Sequence, residues 1–202
     1  MIAHAAEDGI ACKQSDVALR GYIEPFGENT DPGKTKDLKE CFDIGPERPT
    51  PEGPFFWLQP VALTLSEFSE LTYAYHQKMV ILSKTLLKGI ALSLDLRESH
   101  FENLMRNPIS IQRLLHYPPQ GGYVGENIIG IGAHTDYGNL TILAQDDVGV
   151  MNRDGDWVEG TPIHGTFVIN IGDLIQRGYK PVTCGEHKFG RFAASYAHLA
   201  KA

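Results

Sequence analysis

From Ile109 onward the chain is written in short apolar runs, each cut off by glycine, proline or an Asp-Gly pair. Such runs are too short for helices and read as strands joined by turns. Leu140-Thr141-Ile142-Leu143 and Phe167-Val168-Ile169-Asn170-Ile171 are the clearest, and Asp154-Gly155 marks a hairpin turn. The preceding segment has the opposite grammar. Phe68, Leu71, Tyr75, Met79, Leu82, Leu86 and Ile90 recur at three- and four-residue spacing, which predicts an amphipathic helix over 64–94. Thr64-Leu65-Ser66-Glu67 supplies its capping box. Tyr73, Tyr75 and Met79 read as packing residues, and His76, on the flank of the stripe, as a surface histidine. A shorter helix is expected near Glu98–Met105, ending before Asn107-Pro108 because the residue before proline disfavours helix. Helix first and many strands afterwards predicts a mainly β domain braced by helices.

Within the strand-rich half, Gly132-Ala133-His134-Thr135-Asp136-Tyr137-Gly138 places a histidine and an aspartate two positions apart. The β-branched Asn127-Ile128-Ile129-Gly130-Ile131 before it predicts a strand. Alternate residues of a strand share a face, so His134 and Asp136 would offer an imidazole nitrogen and a carboxylate oxygen to one point. A second histidine from elsewhere would complete a 2-His-1-carboxylate metal site with open positions. The bland alternative is a polar strand end, with His134 bonded to a carbonyl and Asp136 opening a turn before Gly138.

The surroundings extend the pattern. Asn107-Pro108-Ile109-Ser110-Ile111-Gln112-Arg113-Leu114-Leu115-His116-Tyr117 stands upstream. Downstream come Ala144-Gln145-Asp146-Asp147, then Asn152-Arg153-Asp154-Gly155-Asp156-Trp157 and Phe167-Val168-Ile169-Asn170-Ile171-Gly172-Asp173. In this order these segments resemble the 2-oxoglutarate-dependent Fe(II) dioxygenases of the isopenicillin N synthase-like superfamily, over about Leu19 to Gln176 and Tyr179 to Tyr196. The resemblance implies a double-stranded β-helix (jelly-roll) barrel, incomplete here, and Fe(II), 2-oxoglutarate and O2 as cofactor and cosubstrates. It implies a small organic substrate oxidised with release of succinate and CO2, and His134 and Asp136 as metal ligands. The family also grips the distal carboxylate of 2-oxoglutarate with an Arg-x-Ser pair, because a guanidinium holds a carboxylate bidentately.

At the C-terminal side the resemblance breaks. Ile171-Gly172-Asp173-Leu174-Ile175-Gln176-Arg177 is followed at once by Gly178-Tyr179-Lys180-Pro181, which resembles the family's tail. The Arg177/Gly178 junction therefore reads as an internal deletion that takes with it the distal histidine and the Arg-x-Ser pair. His187 reads as part of a tail helix rather than the third ligand, and Arg191-Phe192-Ala193 lacks the serine. His116 and His164 read as structural or surface residues. The alternative to an active dioxygenase is thus a catalytically incompetent variant that keeps part of the fold; a zinc site is a third reading. The expected organisation is a helical region over 1–108, a jelly-roll core over 109–177 and a tail over 178–202.

A net charge of −7 argues against a nucleic-acid partner, which would need a basic face. Cys12, Cys41 and Cys184 are odd in number and form no CxxC, so inert thiols in a reducing, cytoplasmic setting are expected. No apolar run approaches membrane-spanning length. Met1–Gly9 lacks the basic and apolar regions of a secretory signal.

Overall fold

The computed structural model describes residues 21–31, 37–45, 66–103, 105–106, 108–119, 129–145, 149–151 and 156–175. The described residues up to His134 belong to one compact unit and those from Thr135 to a second.

The first unit is built on a three-stranded antiparallel sheet, β1 (Gly21–Ile23), β2 (Glu40–Ile44) and β3 (Gln112–His116), in that order. Tyr22, Ile23, Cys41 and Phe42 form its apolar core. The register sets Glu40 opposite His116 and Asp43 opposite Arg113. Directly opposed side chains share a face, and positions three apart on a strand lie on opposite faces. Each face of the sheet therefore carries one oppositely charged cross-strand pair. On one, His116 Nδ1 lies 2.8 Å from Glu40 Oε1, and Tyr22 donates its hydroxyl to Glu40 Oε2 at 2.6 Å. Burial first, and the Glu40 carboxylate second, push the Tyr22 phenol up to about 12. His116 is thus a sheet residue.

The other face carries a buried ion cluster. Arg113 binds Asp43 through two parallel bonds of 2.7 Å, from Nε and Nη2, and reaches Glu28 from Nη1 at 3.0 and 3.1 Å. Lys39 Nζ sits 3.1 Å from Glu28 Oε2 and 2.5 Å from Asp37 Oδ2. Glu28, Asp37, Lys39 and Asp43 are all buried. Charges removed from water are tolerated only when paired and hydrogen-bonded, and this cluster meets that condition. Burial alone would lower the Arg113 pKa; Asp43, then Glu28, outweigh it and hold the guanidinium well above its ordinary value. Cys41 lies beside these charges, fully buried, and burial pushes its thiol up to about 12. That makes Cys41 the inert thiol expected; Cys12 and Cys184 lie outside the described residues.

Helix α1 (Ser66–Ser93) follows the predicted span. Thr64 and the Glu67 side chain of the expected capping box lie outside the described residues. The C-terminus closes in a Schellman arrangement: Leu96 N–H donates to Ala91 O at 2.9 Å and Asp95 N–H to Leu92 O at 3.1 Å. Asp95 adopts φ 57°, a left-handed conformation that glycine usually fills. The buried face of α1 is rotated by about one residue from the predicted stripe. His76, Leu87 and Ala91 are buried, whereas Leu71 is 72% and Tyr75 41% exposed. His76 is therefore not a surface histidine. Its Nε2 meets Ser110 Oγ at 3.0 Å, and a buried polar group with a hydrogen-bond partner is admissible in a core. The segment expected to be a helix near Glu98–Met105 is a chain of turns instead. His100 N–H bonds Arg97 O and Glu102 N–H bonds Ser99 O, both at three-residue spacing, and Met105 N–H reaches Phe101 O at four. Eight residues hold too few bonds to offset helix nucleation.

The second unit contains β4 (Leu140–Leu143) paired antiparallel with β7 (Val168–Ile171), and β5 (Gly149–Met151) paired antiparallel with β6 (Trp157–Glu159). The Met151↔Trp157 register fits the predicted hairpin, though Asp154-Gly155 lies outside the described residues. A 3-10 turn, Asp173–Ile175, follows β7. The regular structure of the described residues is thus seven strands and a single α-helix, and among them the sheets do not close into a barrel.

Candidate metal centre

The strand expected to carry His134 and Asp136 is not formed in the described residues: 129–139 has no regular secondary structure, and Asn127 and Ile128 lie outside them. The period-2 argument for a shared face therefore does not apply. The segment is held by bonds to non-neighbouring chain rather than by a ladder. Leu38 N–H donates to Ile129 O at 2.9 Å, and Gly132 N–H donates to Asp37 Oδ1 at 3.3 Å. Gly132 is packed so tightly on Asp31 that a Cβ would fall 2.5 Å from its Cβ and 2.8 Å from its nitrogen. Only glycine fits there without displacing backbone.

His134 closes the first unit. Its Nδ1 lies 2.8 Å from Gly132 O. A carbonyl can only accept, so Nδ1 carries the proton and the ring's lone pair is on Nε2. This is the bond foreseen in the bland reading of the motif. It is also how a metal-ligating histidine is prepared, because the donor bond on one nitrogen fixes the tautomer and orientation of the other.

Asp136 opens the second unit. Asn170 Nδ2 donates to Asp136 Oδ2 at 2.7 Å, and Asp173 N–H donates to Asp136 O at 2.7 Å. Both carboxylate and backbone of Asp136 are thus tied to the end of β7 and the turn after it. Gly172 allows that approach. A Cβ there would fall 2.6 Å from Asp136 O and collide with Gly138 O. Asn170 and Asp37 were not singled out in the sequence. Asn170 is a polar residue on the β-branched run Val168-Ile169-Asn170-Ile171, the one signal the sequence offers for it. Asp37, ninety-five positions from Gly132, left none.

Imidazole nitrogen and carboxylate oxygen suit Fe(II), and the preset tautomer of His134 fits that role. Among the described residues no group of three His, Cys, Asp or Glu side chains is placed to hold a metal ion. Arg177, Gly178, His187 and the expected tail helix lie outside the described residues. His164 is exposed, in a turn where Thr166 N–H bonds Ile163 O.

Residues 108–188 match the family model of the 2OG-Fe(II) oxygenase superfamily. The chain is 37% identical over 170 residues to a homoarginine-6-hydroxylase of Arabidopsis thaliana, an alignment covering 77% of this chain and 45% of that protein. It is 35% identical over 173 residues to a 2-oxoglutarate-Fe(II) type oxidoreductase of Emericella nidulans, covering 78% and 49%. A full-length Neurospora crassa protein, crystallised in complex with alpha-KG and thymine, superposes with a TM-score of 0.67 at 29% identity, over 84% of this chain and 56% of that one. Over these residues the chain belongs to the 2OG-Fe(II) oxygenase superfamily, and its fold is that of the jelly-roll oxygenases. It spans about half the length of the curated relatives it matches.

Proposed function

We propose that the chain is an Fe(II)/2-oxoglutarate-dependent dioxygenase acting on a small organic molecule, with His134 and Asp136 as two of the protein ligands to iron. The observation that carries this reading is the Nδ1–H bond of His134 to Gly132 O, which commits the ring to ligation through Nε2. Asn170 plays the matching part for Asp136, holding Oδ2 and so limiting rotation of the carboxylate. Bound iron would supply O2 activation coupled to oxidative decarboxylation of 2-oxoglutarate, yielding succinate and CO2. The relatives act in the same chemical range: one is named for hydroxylating homoarginine and another was crystallised with thymine. The protein's own task is to hold ligands and substrate in place and to exclude water.

The test is succinate formation from 2-oxoglutarate by the 202-residue chain with and without Fe(II), beside H134A and D136A. Iron-dependent turnover lost in both variants supports the assignment. Turnover that survives either substitution overturns it. Absence of turnover in the unaltered chain, with iron affinity unchanged by both substitutions, leaves the incompetent variant as the better description.

A further inference from the structure

We propose that Asp37 is a positioning residue for His134, acting through Gly132, an inference that rests on His134 being a metal ligand. The two oxygens of the fully buried Asp37 carboxylate have separate tasks. Oδ2 accepts from Lys39 Nζ at 2.5 Å and from the Thr30 hydroxyl. Oδ1 accepts two backbone donors, Gly132 N–H at 3.3 Å and Thr30 N–H at 3.4 Å. Gly132 then presents its carbonyl to His134 Nδ1 at 2.8 Å. One peptide unit away, Leu38 N–H holds Ile129 O, so the irregular segment is pinned at two points to the residues leading into β2. In the absence of a ladder these pins set the position of the Gly132 carbonyl, and with it the plane of the imidazole.

The arrangement needs a carboxylate. An amide offers one accepting oxygen and two N–H donors. Asn at position 37 would turn its oxygen toward the Lys39 ammonium, the stronger partner. Its NH2 group would then face the N–H groups of Gly132 and Thr30, donor against donor. Asp37→Asn therefore keeps size and shape and removes the pin on Gly132. Asp43→Asn is the matched control: it also changes a buried carboxylate of the same sheet to an amide, but Asp43 is bonded to Arg113 and not to Gly132.

Three quantities are read on the full chain: hydrogen exchange of the Gly132 amide, the tautomer of His134 from its ring-nitrogen NMR shifts without metal, and Co(II) affinity from its visible absorption. In the unaltered protein the Gly132 amide is protected and His134 is the Nδ1–H form. In D37N the amide exchanges faster, the ring samples both tautomers, and Co(II) affinity falls by about 10- to 100-fold, the range for loss of a group that orients a ligand. D43N lowers stability and leaves all three readings unchanged. The proposal is overturned if D37N retains tautomer and affinity, or if D43N shifts them as far. It is equally overturned if the unaltered protein shows an unprotected Gly132 amide or the Nε2–H tautomer, a result that needs no variant to fold. Co(II) binding unaffected by H134A would instead remove the metal assignment, while the tautomer in metal-free D37N still judges the role of Asp37.

Discussion

Replacing Arg113 by methionine should cost this protein about 3–5 kcal/mol, the usual penalty for removing one partner of a buried charge pair. Arg113 makes four bonds of 2.7 to 3.1 Å to two carboxylates. The side chain of Asp43 is fully buried and that of Glu28 nearly so. Without the guanidinium, Glu28 keeps Lys39 at 3.1 Å, but Asp43 loses both of its bonds to a cation. Against a total stability of about 5–15 kcal/mol, a loss of that size is a large fraction. At roughly 2–4 °C per kcal/mol for a chain of this length, the melting temperature should fall by roughly 6–20 °C. Urea denaturation followed by circular dichroism at pH 7 measures it directly. Adding Asp43→Leu to the variant should recover part of the loss. A loss below about 1 kcal/mol at pH 7, the size typical of a solvent-exposed pair, would refute the reasoning.

Other consequences are equally open to measurement. Asp95→Gly should stabilise the protein by about 1 kcal/mol, by relieving the left-handed backbone after α1, seen as a higher urea midpoint at unchanged slope. Cys41 should resist alkylation at pH 8 in the folded chain and react once unfolded, read by mass spectrometry of its peptide. Its thiol is raised from 9.0 to about 12, so its protonated form contributes stability fully below pH 9. That contribution is lost as pH rises from 9 to 12, at about 1.4 kcal/mol per unit; Cys41→Ala should show a correspondingly flatter alkaline profile. Gly172→Ala should cost about 1–3 kcal/mol, because its Cβ has to displace the backbone oxygens of Asp136 and Gly138; it should also weaken Co(II) binding, and an unchanged melting curve would contradict it.

What could be read in the sequence was what depends on near neighbours. Helix α1 announced itself through its apolar period, and β4 and β7 lie inside runs marked as strands. The phase of the helix is not set by its apolar residues alone, because its buried face includes His76, a polar residue made acceptable by Ser110, thirty-four positions away. A count of apolar residues cannot register such a bond. The segment before His134 is β-branched enough to suggest a strand, yet its hydrogen bonds run to Leu38 and to the Asp37 carboxylate rather than to a neighbouring strand. Tertiary context overrides strand propensity in this way. His134 and Asp136 were legible as a motif. Their holders, Gly132 with Asp37 and Asn170, were not, since the first works through backbone atoms that any sequence carries. The ion cluster was invisible for the same reason of distance: an acidic residue at 28 or 43 is ordinary until Arg113 is folded against it.

That cluster has a consequence for how the chain reaches its native state. Its partners are separated by 70 positions between Asp43 and Arg113 and by 85 between Glu28 and Arg113. Closing chain segments of this length is entropically unfavourable until the contacts they bring are made. A partly assembled cluster is worse than none, because a carboxylate stripped of water before its arginine arrives is held at a penalty. Burial of Asp43 is therefore expected to be coupled to the docking of β3, the strand that brings Arg113. A variant without this arginine should then lose the pairing of β2 with β3 more readily than that of β1 with β2, read by hydrogen exchange of the strand amides.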